Sequence, residues 1–161
     1  MLIKLKRVFL FFCVVLVMGA IFGFSSQTYK QTMKTSNIIT IPIENQVKKE
    51  NLEFKSEKEK KVYLDKLKYK IDKTVRKGAH IFIFGILAVF LYLLCKSFGM
   101  EDADAIILTL VLCAVYAGSD EWHQKFVDGR TSQFIDVCAD EFGAVIALII
   151  CRLLKKVKSD K

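Results

Sequence analysis

Three short segments of this sequence set acids, bases and an amide at helical spacing beside long apolar runs. Arg76 and His80 are four residues apart, as are Asp120 and Gln124, and Asp136 and Asp140. Four residues is about one helical turn, so each pair shares a face. Lys77 and Glu121 adjoin two of these pairs, and Arg130 lies between the second and the third. Guanidinium and ammonium groups suit phosphate or carboxylate, arginine through a planar fork of donors. Carboxylates can orient such cations, receive amines, hold a divalent metal or exchange protons. Asp136 and Asp140 have a spacing compatible with metal ligation, but no hydrolase or phosphotransferase motif surrounds them. No metal and no cofactor is therefore expected. His80 and Glu121 are the candidates for a general acid or base. His123 follows Trp122 and reads as a surface residue.

The elements that position these residues are apolar. Of 161 residues, 53% are hydrophobic, and they sit in blocks: Val8–Phe24, Ala79–Cys95, Ala105–Gly118 and Phe134–Leu154. A bilayer core of about 30 Å takes roughly 20 helical residues to cross. Four such blocks in one short chain would leave a soluble fold too little polar surface. The expectation is a single all-α domain over 1–161, an integral membrane four-helix bundle. Its spans cover about 8–24, 79–95, 105–124 and 134–154. The five cysteines lie in or at the ends of the blocks, without CxxC spacing, and read as packing residues. The net charge of +8 lies between the blocks. With no zinc-finger spacing, Gly-rich phosphate loop or RNP-like motif, it points to lipid head groups or cell-wall polyanions rather than nucleic acid.

Orientation follows from the basic ends. Lys4, Lys6 and Arg7 precede the first span; Arg152, Lys155, Lys156, Lys158 and Lys161 end or follow the fourth. The positive-inside rule places both termini in the cytoplasm of a multi-pass cell-membrane protein. The apolar N-terminal run could also be a cleaved signal peptide, but Met18 occupies a position where cleavage wants a small residue. The insert 25–76 is then extracytoplasmic. Ser25–Lys77 carries 14 Lys+Arg against 7 Asp+Glu, which a long loop tolerates outside. Ser36–Asn45 reads as irregular around Pro42. Leu64, Leu67, Ile71 and Val75 mark one face of a charged helix, either solvated or lying on the membrane surface, that can run into the second span.

Span length places the ionisable residues inside the fold. Ala105–Gly118 is too short to cross, so its helix must continue through Asp120 and Glu121 toward Gln124. The last helix must start near Phe134, which puts Asp136, Asp140 and Glu141 in its outer half. Arg76 or Lys77 forms the edge of the second span, with His80 one turn deeper. Ionisable groups at this depth cost a few kcal/mol each unless paired, hydrated or lining a cavity. The cytoplasmic half shows almost nothing comparable. Ala139, Gly143 and Ala147 form a small-residue stripe that admits a neighbouring helix and turns the acids into the bundle. Trp122 reads as an interfacial anchor, and Val127-Asp128-Gly129-Arg130 as a turn with Gly129 free for positive φ.

At these residues the chain resembles the VanZ-like family of bacterial membrane proteins, named for a teicoplanin-resistance protein. The matching segments are Phe24-Ser25-Ser26-Gln27, Arg76-Lys77-Gly78-Ala79-His80, and Ser119-Asp120-Glu121-Trp122-His123-Gln124-Lys125-Phe126 followed by Arg130, Asp136 and Gly143. The resemblance adds Ser26 and Gln27 to the polar cluster. It covers the spans and their outer edges but not Pro42–Lys73. Ile83 stands where the family often has Glu, Asp128 where a Pro is usual, and Asp140 where Asn is common. The resemblance implies membrane location and a link to glycopeptide susceptibility, with no settled enzymatic activity.

Together these readings favour a cell-envelope protein that binds an anionic lipid head group or a cell-wall precursor at the outer face. Its partners would be membrane lipids, with a glycopeptide-related ligand as a further candidate. A polar network that only holds the bundle together is one alternative. A membrane enzyme acting on a lipid-linked phosphate or glycan is another and is less favoured. A channel is disfavoured because polar groups at one end make no continuous path.

Overall fold

Within hydrocarbon, a helix is the arrangement that satisfies all its backbone hydrogen bonds inside one segment, and the apolar runs fold accordingly. The structure, a computed structural model, describes residues 1–28, 56–128, 130 and 132–159. They form α1 (Leu2–Ser25), α2 (Glu57–Ser97), α3 (Asp102–Gln124) and α4 (Phe134–Ser159). α1, α2 and α3 are each long and apolar enough to cross a membrane. In α4 the apolar run is bounded by Asp136, Asp140 and Glu141 at one end and by basic residues at the other. Large apolar side chains such as Phe9, Phe12, Val115, Ile149 and Leu153 point outward around the bundle. So broad an apolar exterior suits lipid contact and is untenable in water.

α2 is the axis of the fold. At 41 residues and ~1.5 Å per residue it is about 60 Å long, roughly twice a bilayer core. Ser56 caps it by accepting the Glu59 N–H at 3.2 Å, with Glu57 and Glu59 in the first turn favouring the helix dipole. The charged helix expected near Glu57–Val75 therefore exists, and it runs unbroken into the second span. The connection expected over 25–76 ends at Ser56, because between Val75 and Ala79 there is no proline and the single Gly78 is carried within the helix. Leu64, Leu67 and Ile71 are half-buried, whereas Val75 is exposed. The irregular stretch expected at Ser36–Asn45 and the turn glycine Gly129 lie outside the described residues.

α2 packs against all three other helices, most extensively α4. The reason is a glycine crossing. A Cβ on Gly143 would overlap the Ile81 carbonyl, and one on Gly85 would stand 3.2 Å from the Gly143 carbonyl oxygen. The expected small-residue stripe of α4 is thus the seat of α2. Around it lie Phe84, Leu87 and Leu91 of α2, Ile21 of α1, Cys113 of α3, and Ala144 and Leu148 of α4. The Tyr116 hydroxyl ties α3 to α1 by donating to the Met18 carbonyl at 2.6 Å.

The end of the bundle that holds both termini carries the charges expected to flank the spans there, and they are paired. Asp102 at the start of α3 receives Lys96 at 2.6 Å and Lys155 at 2.8 Å. Arg7 donates through Nε and Nη2 to the Ser97 carbonyl at 3.0 and 2.9 Å and lies over the Phe98 ring. These side chains fasten the helix ends where α2 turns into α3 through Gly99, at φ +87°. Arg7 and Lys155 are far in sequence from Lys96, Ser97 and Asp102, which is why helical spacing did not reveal these contacts.

Candidate functional site

The opposite end gathers the residues singled out from the sequence. Asp120 is its innermost acid, 3% exposed. Its Oδ2 accepts the Ser25 hydroxyl at 2.7 Å and the Gln124 amide at 2.8 Å. Gln124 passes the network outward: its Oε1 accepts Arg130 Nη1 at 3.3 Å. Arg130 then donates Nη2 to the Phe24 carbonyl at 2.7 Å and Nε to the Gln27 carbonyl at 3.2 Å. A guanidinium here meets carbonyls at the negative dipole end of α1. It has five N–H donors, so two remain after these three bonds among the described residues.

α2 supplies the opposite wall. Arg76 Nη2 pairs with Asp72 at 2.6 Å, an i,i+4 pair whose acid is buried. Lys77 pairs with Asp136 of α4. His80 places Nδ1 between two acids, 3.9 Å from Asp120 Oδ2 and 3.8 Å from Asp140 Oδ2. Glu121 turns to the connection before α4, where its Oε2 accepts the Gln133 N–H at 3.0 Å. Arg130 and Asp136 do not pair with each other among the described residues. Each satisfies a different helix.

Between these walls is a small cavity of about 60 Å³. Water's share of liquid volume is roughly 30 Å³, so the space suits one compact polar group. Arg76, Lys77, His80, Glu121, Gln124, Arg130, Asp136 and Asp140 all line it. Asp120 stands behind them. Gln27 contributes its backbone carbonyl. Ser26 is off the cavity: its hydroxyl donates to the Phe22 carbonyl at 2.7 Å and lies 3.1 Å from His123 Nε2. Its neighbour Ser25, fully buried, occupies the network instead. His123 is not a free surface residue, because its ring stacks on Phe22 with centroids 4.5 Å apart. Trp122 is exposed, with the Lys125 ammonium over its ring.

The lining also includes Tyr69, Asp72 and Lys73 of α2 and Ala139 of α4, which the sequence reading left out. Their signal was present: 69, 72, 73, 76, 77 and 80 follow helical spacing along one face. Reading Arg76 as a span edge rather than as mid-helix hid it.

Asp72, Glu121 and Asp140 are buried at the cavity with Asp120 buried behind them, and Lys73, Arg76, Lys77, Arg130 and Asp136 are half-buried around it. Arg76 Nε is buried without a hydrogen-bond partner among the described residues. Among the described residues Lys73 has no ion pair or hydrogen bond. Burial, then the nearby Arg76 charge, pushes Arg130 down to about 10. Ser25, Asp120 and His80 look like a nucleophile with its base, but Ser25 is sealed from the cavity and donates directly to the acid. The arrangement is a hydrogen-bonded frame that presents spare cationic donors to a compact cavity.

A family model described as VanZ/LLP1 matches residues 9–155. An uncharacterized protein of Schizosaccharomyces pombe is 30% identical over 86 residues, covering 53% of this chain and 51% of that protein. The chain thus spans about half the length of that curated relative. No solved structure matches.

Proposed function

This chain belongs to the VanZ/LLP1 family, and from that premise we propose that it is a cell-envelope membrane protein whose cavity holds the phosphate of an anionic lipid head group. A lipid-linked cell-wall precursor carries the same group. The observation behind this reading is the set of donors unspent among the described residues: two N–H groups of Arg130, Nε of Arg76 and the ammonium of Lys73, on residues that line one cavity. Arginine forks and a lysine point charge are the usual means of holding phosphate. A network serving structure alone would be expected to spend them internally.

In this reading the termini are cytoplasmic and the cavity faces outward, at head-group depth of the outer leaflet. Asp72 and Asp136 hold Arg76 and Lys77 in place. Loss of the protein would then alter the envelope's response to glycopeptides. The test is thermal unfolding of the detergent-purified full chain titrated with dioleoyl phosphatidic acid or with dioleoylglycerol. These share chains and differ in the phosphate. Stabilisation by the phosphatidic acid and none by the diacylglycerol is expected. Equal response to both would remove the phosphate from the account.

A further inference from the structure

A second hollow, of about 780 Å³, opens between α3 and α4. On the α3 side Ala114, Gly118 and Trp122 line it at four-residue steps. On the α4 side Phe134, Cys138, Glu141 and Val145 line it at steps of four, three and four. Such steps keep residues on one helix face and make two ridges with a furrow between them. Trp122, Phe134 and Phe142 at its walls are exposed, so the furrow faces lipid. A Cβ on Gly118 would meet nothing within 4 Å, which leaves the furrow open at its middle.

One acid interrupts the apolar wall at depth. Glu141 lines the furrow, and its buried Oε2 has no hydrogen-bond partner among the described residues. It lies about 10 Å, or about two turns, below Phe134 by helical rise. An ionisable group there is costly unless something pairs with it. Lys125, just past the end of α3, stands over the Trp122 ring instead, 4.9 Å from its centroid. The other acid of the wall, Glu121, already accepts the Gln133 N–H. Glu141 is thus the group that the furrow leaves for an occupant.

In a bilayer that occupant is a lipid, a second copy of this chain or a transmembrane helix of another protein. A phospholipid carries its cation, where it has one, in the head group, near the level of Trp122 and Lys125. A second copy in the same orientation presents its own residues at equal depth. The sequence has no lysine or arginine in 8–24, 78–95, 105–124 or 134–151, so a copy brings none to Glu141. A helix of another protein can carry one there. Ala114 and Gly118 also suit a helix, because small residues let a second backbone approach closely.

We infer that the furrow between α3 and α4 docks one transmembrane helix of another protein, whose lysine or arginine pairs with Glu141. Occupation of the polar cavity by phosphate is not required for this docking.

Trp122 is the only tryptophan of the chain and stands on the furrow wall, so its fluorescence reports what covers the furrow. The full chain is reconstituted in phosphatidylcholine vesicles brominated on the acyl chains, which quench an uncovered Trp122. The probes are single-span peptides of leucine and alanine: one wholly apolar, and two with a lysine or a glutamate about seven residues from one end, matching the depth of Glu141. The lysine peptide should relieve quenching at about tenfold lower peptide-to-lipid ratio than the apolar one, the order of a polar contact between helices in lipid. The glutamate peptide should do no better than the apolar one. Glu141→Leu should bring the lysine peptide down to the apolar level, and Glu141→Gln, which keeps the shape, should do the same if Glu141→Leu fails to fold. Gly118→Leu, which fills the furrow, should weaken protection by every peptide. Equal protection by the lysine and apolar peptides of the wild-type chain would overturn the inference. Quenching that no peptide relieves would give the furrow to lipid, and protection that grows with protein-to-lipid ratio in the absence of peptide would give it to a second copy; either result would overturn it too.

Discussion

Asp120 shows what a single residue does at the polar end. It holds Ser25 of α1 and Gln124 of its own helix, and it faces His80 of α2. Replacing it with Ala strands three polar side chains in the bundle, at ~1–3 kcal/mol for such loss of buried partners. Asp120→Asn keeps one acceptor and should cost less. Unfolding of the two variants in detergent checks the order, and equal stability of Asp120→Ala and wild type would contradict the network. Arg130 adds a pH dependence. Its pKa of about 10 lies below the ordinary 12.5, so the fold carries a penalty for this charge at every pH below about 10. The penalty is relieved only as pH rises through that value. A bound anion favours the charged form. Phosphate-ligand affinity should therefore be level at about pH 8–9 and fall as pH passes about 10. Affinity that is level through that range would remove Arg130 from the binding site. Residue identities were largely legible in the sequence. Partners were not: that Lys77 meets Asp136 depends on how helices rotate about their axes, which spacing within one helix does not fix.

At the scale of elements, the crossing of α2 and α4 fixes the site, because it sets the distance between Lys77 and Asp136 and between His80 and Asp140. Gly143→Ala should force α2 away from its seat, at ~1–3 kcal/mol for overpacking. Gly118→Ala, with open space around it, should stay within about 0.5 kcal/mol of wild type. Similar destabilisation by both would mean that helix propensity, not the crossing, governs these glycines. The stripe Ala139-Gly143-Ala147 and all four helices could be read from periodicity and span length. The length of α2 could not be read with certainty, since charge density near Lys73 looks like a loop when span edges are sought and like a helix when faces are followed. The fastening of the terminal end by Arg7, Lys96, Asp102 and Lys155 was invisible for the opposite reason: its members meet only through tertiary packing.

For the whole molecule, four antiparallel helices put both termini at one end and the cavity at the other. A cysteine at Lys58 or Lys125 in intact cells should react with an impermeant thiol reagent, and one at Lys158 should not. The reverse pattern would turn the cavity to the cytoplasm and the inner leaflet. Whether the polar end binds or merely braces is a separate matter, and Lys73 decides it. It lines the cavity, yet has no ion pair or hydrogen bond among the described residues, so bracing does not require it. The measurement is the affinity of the purified full chain for dioleoyl phosphatidic acid, compared between wild type and Lys73→Glu, with unfolding recorded for both. The account predicts unchanged unfolding and affinity lower by about tenfold, the order of one charge-assisted contact. Unchanged affinity in a folded Lys73→Glu protein would contradict a phosphate site at this cavity.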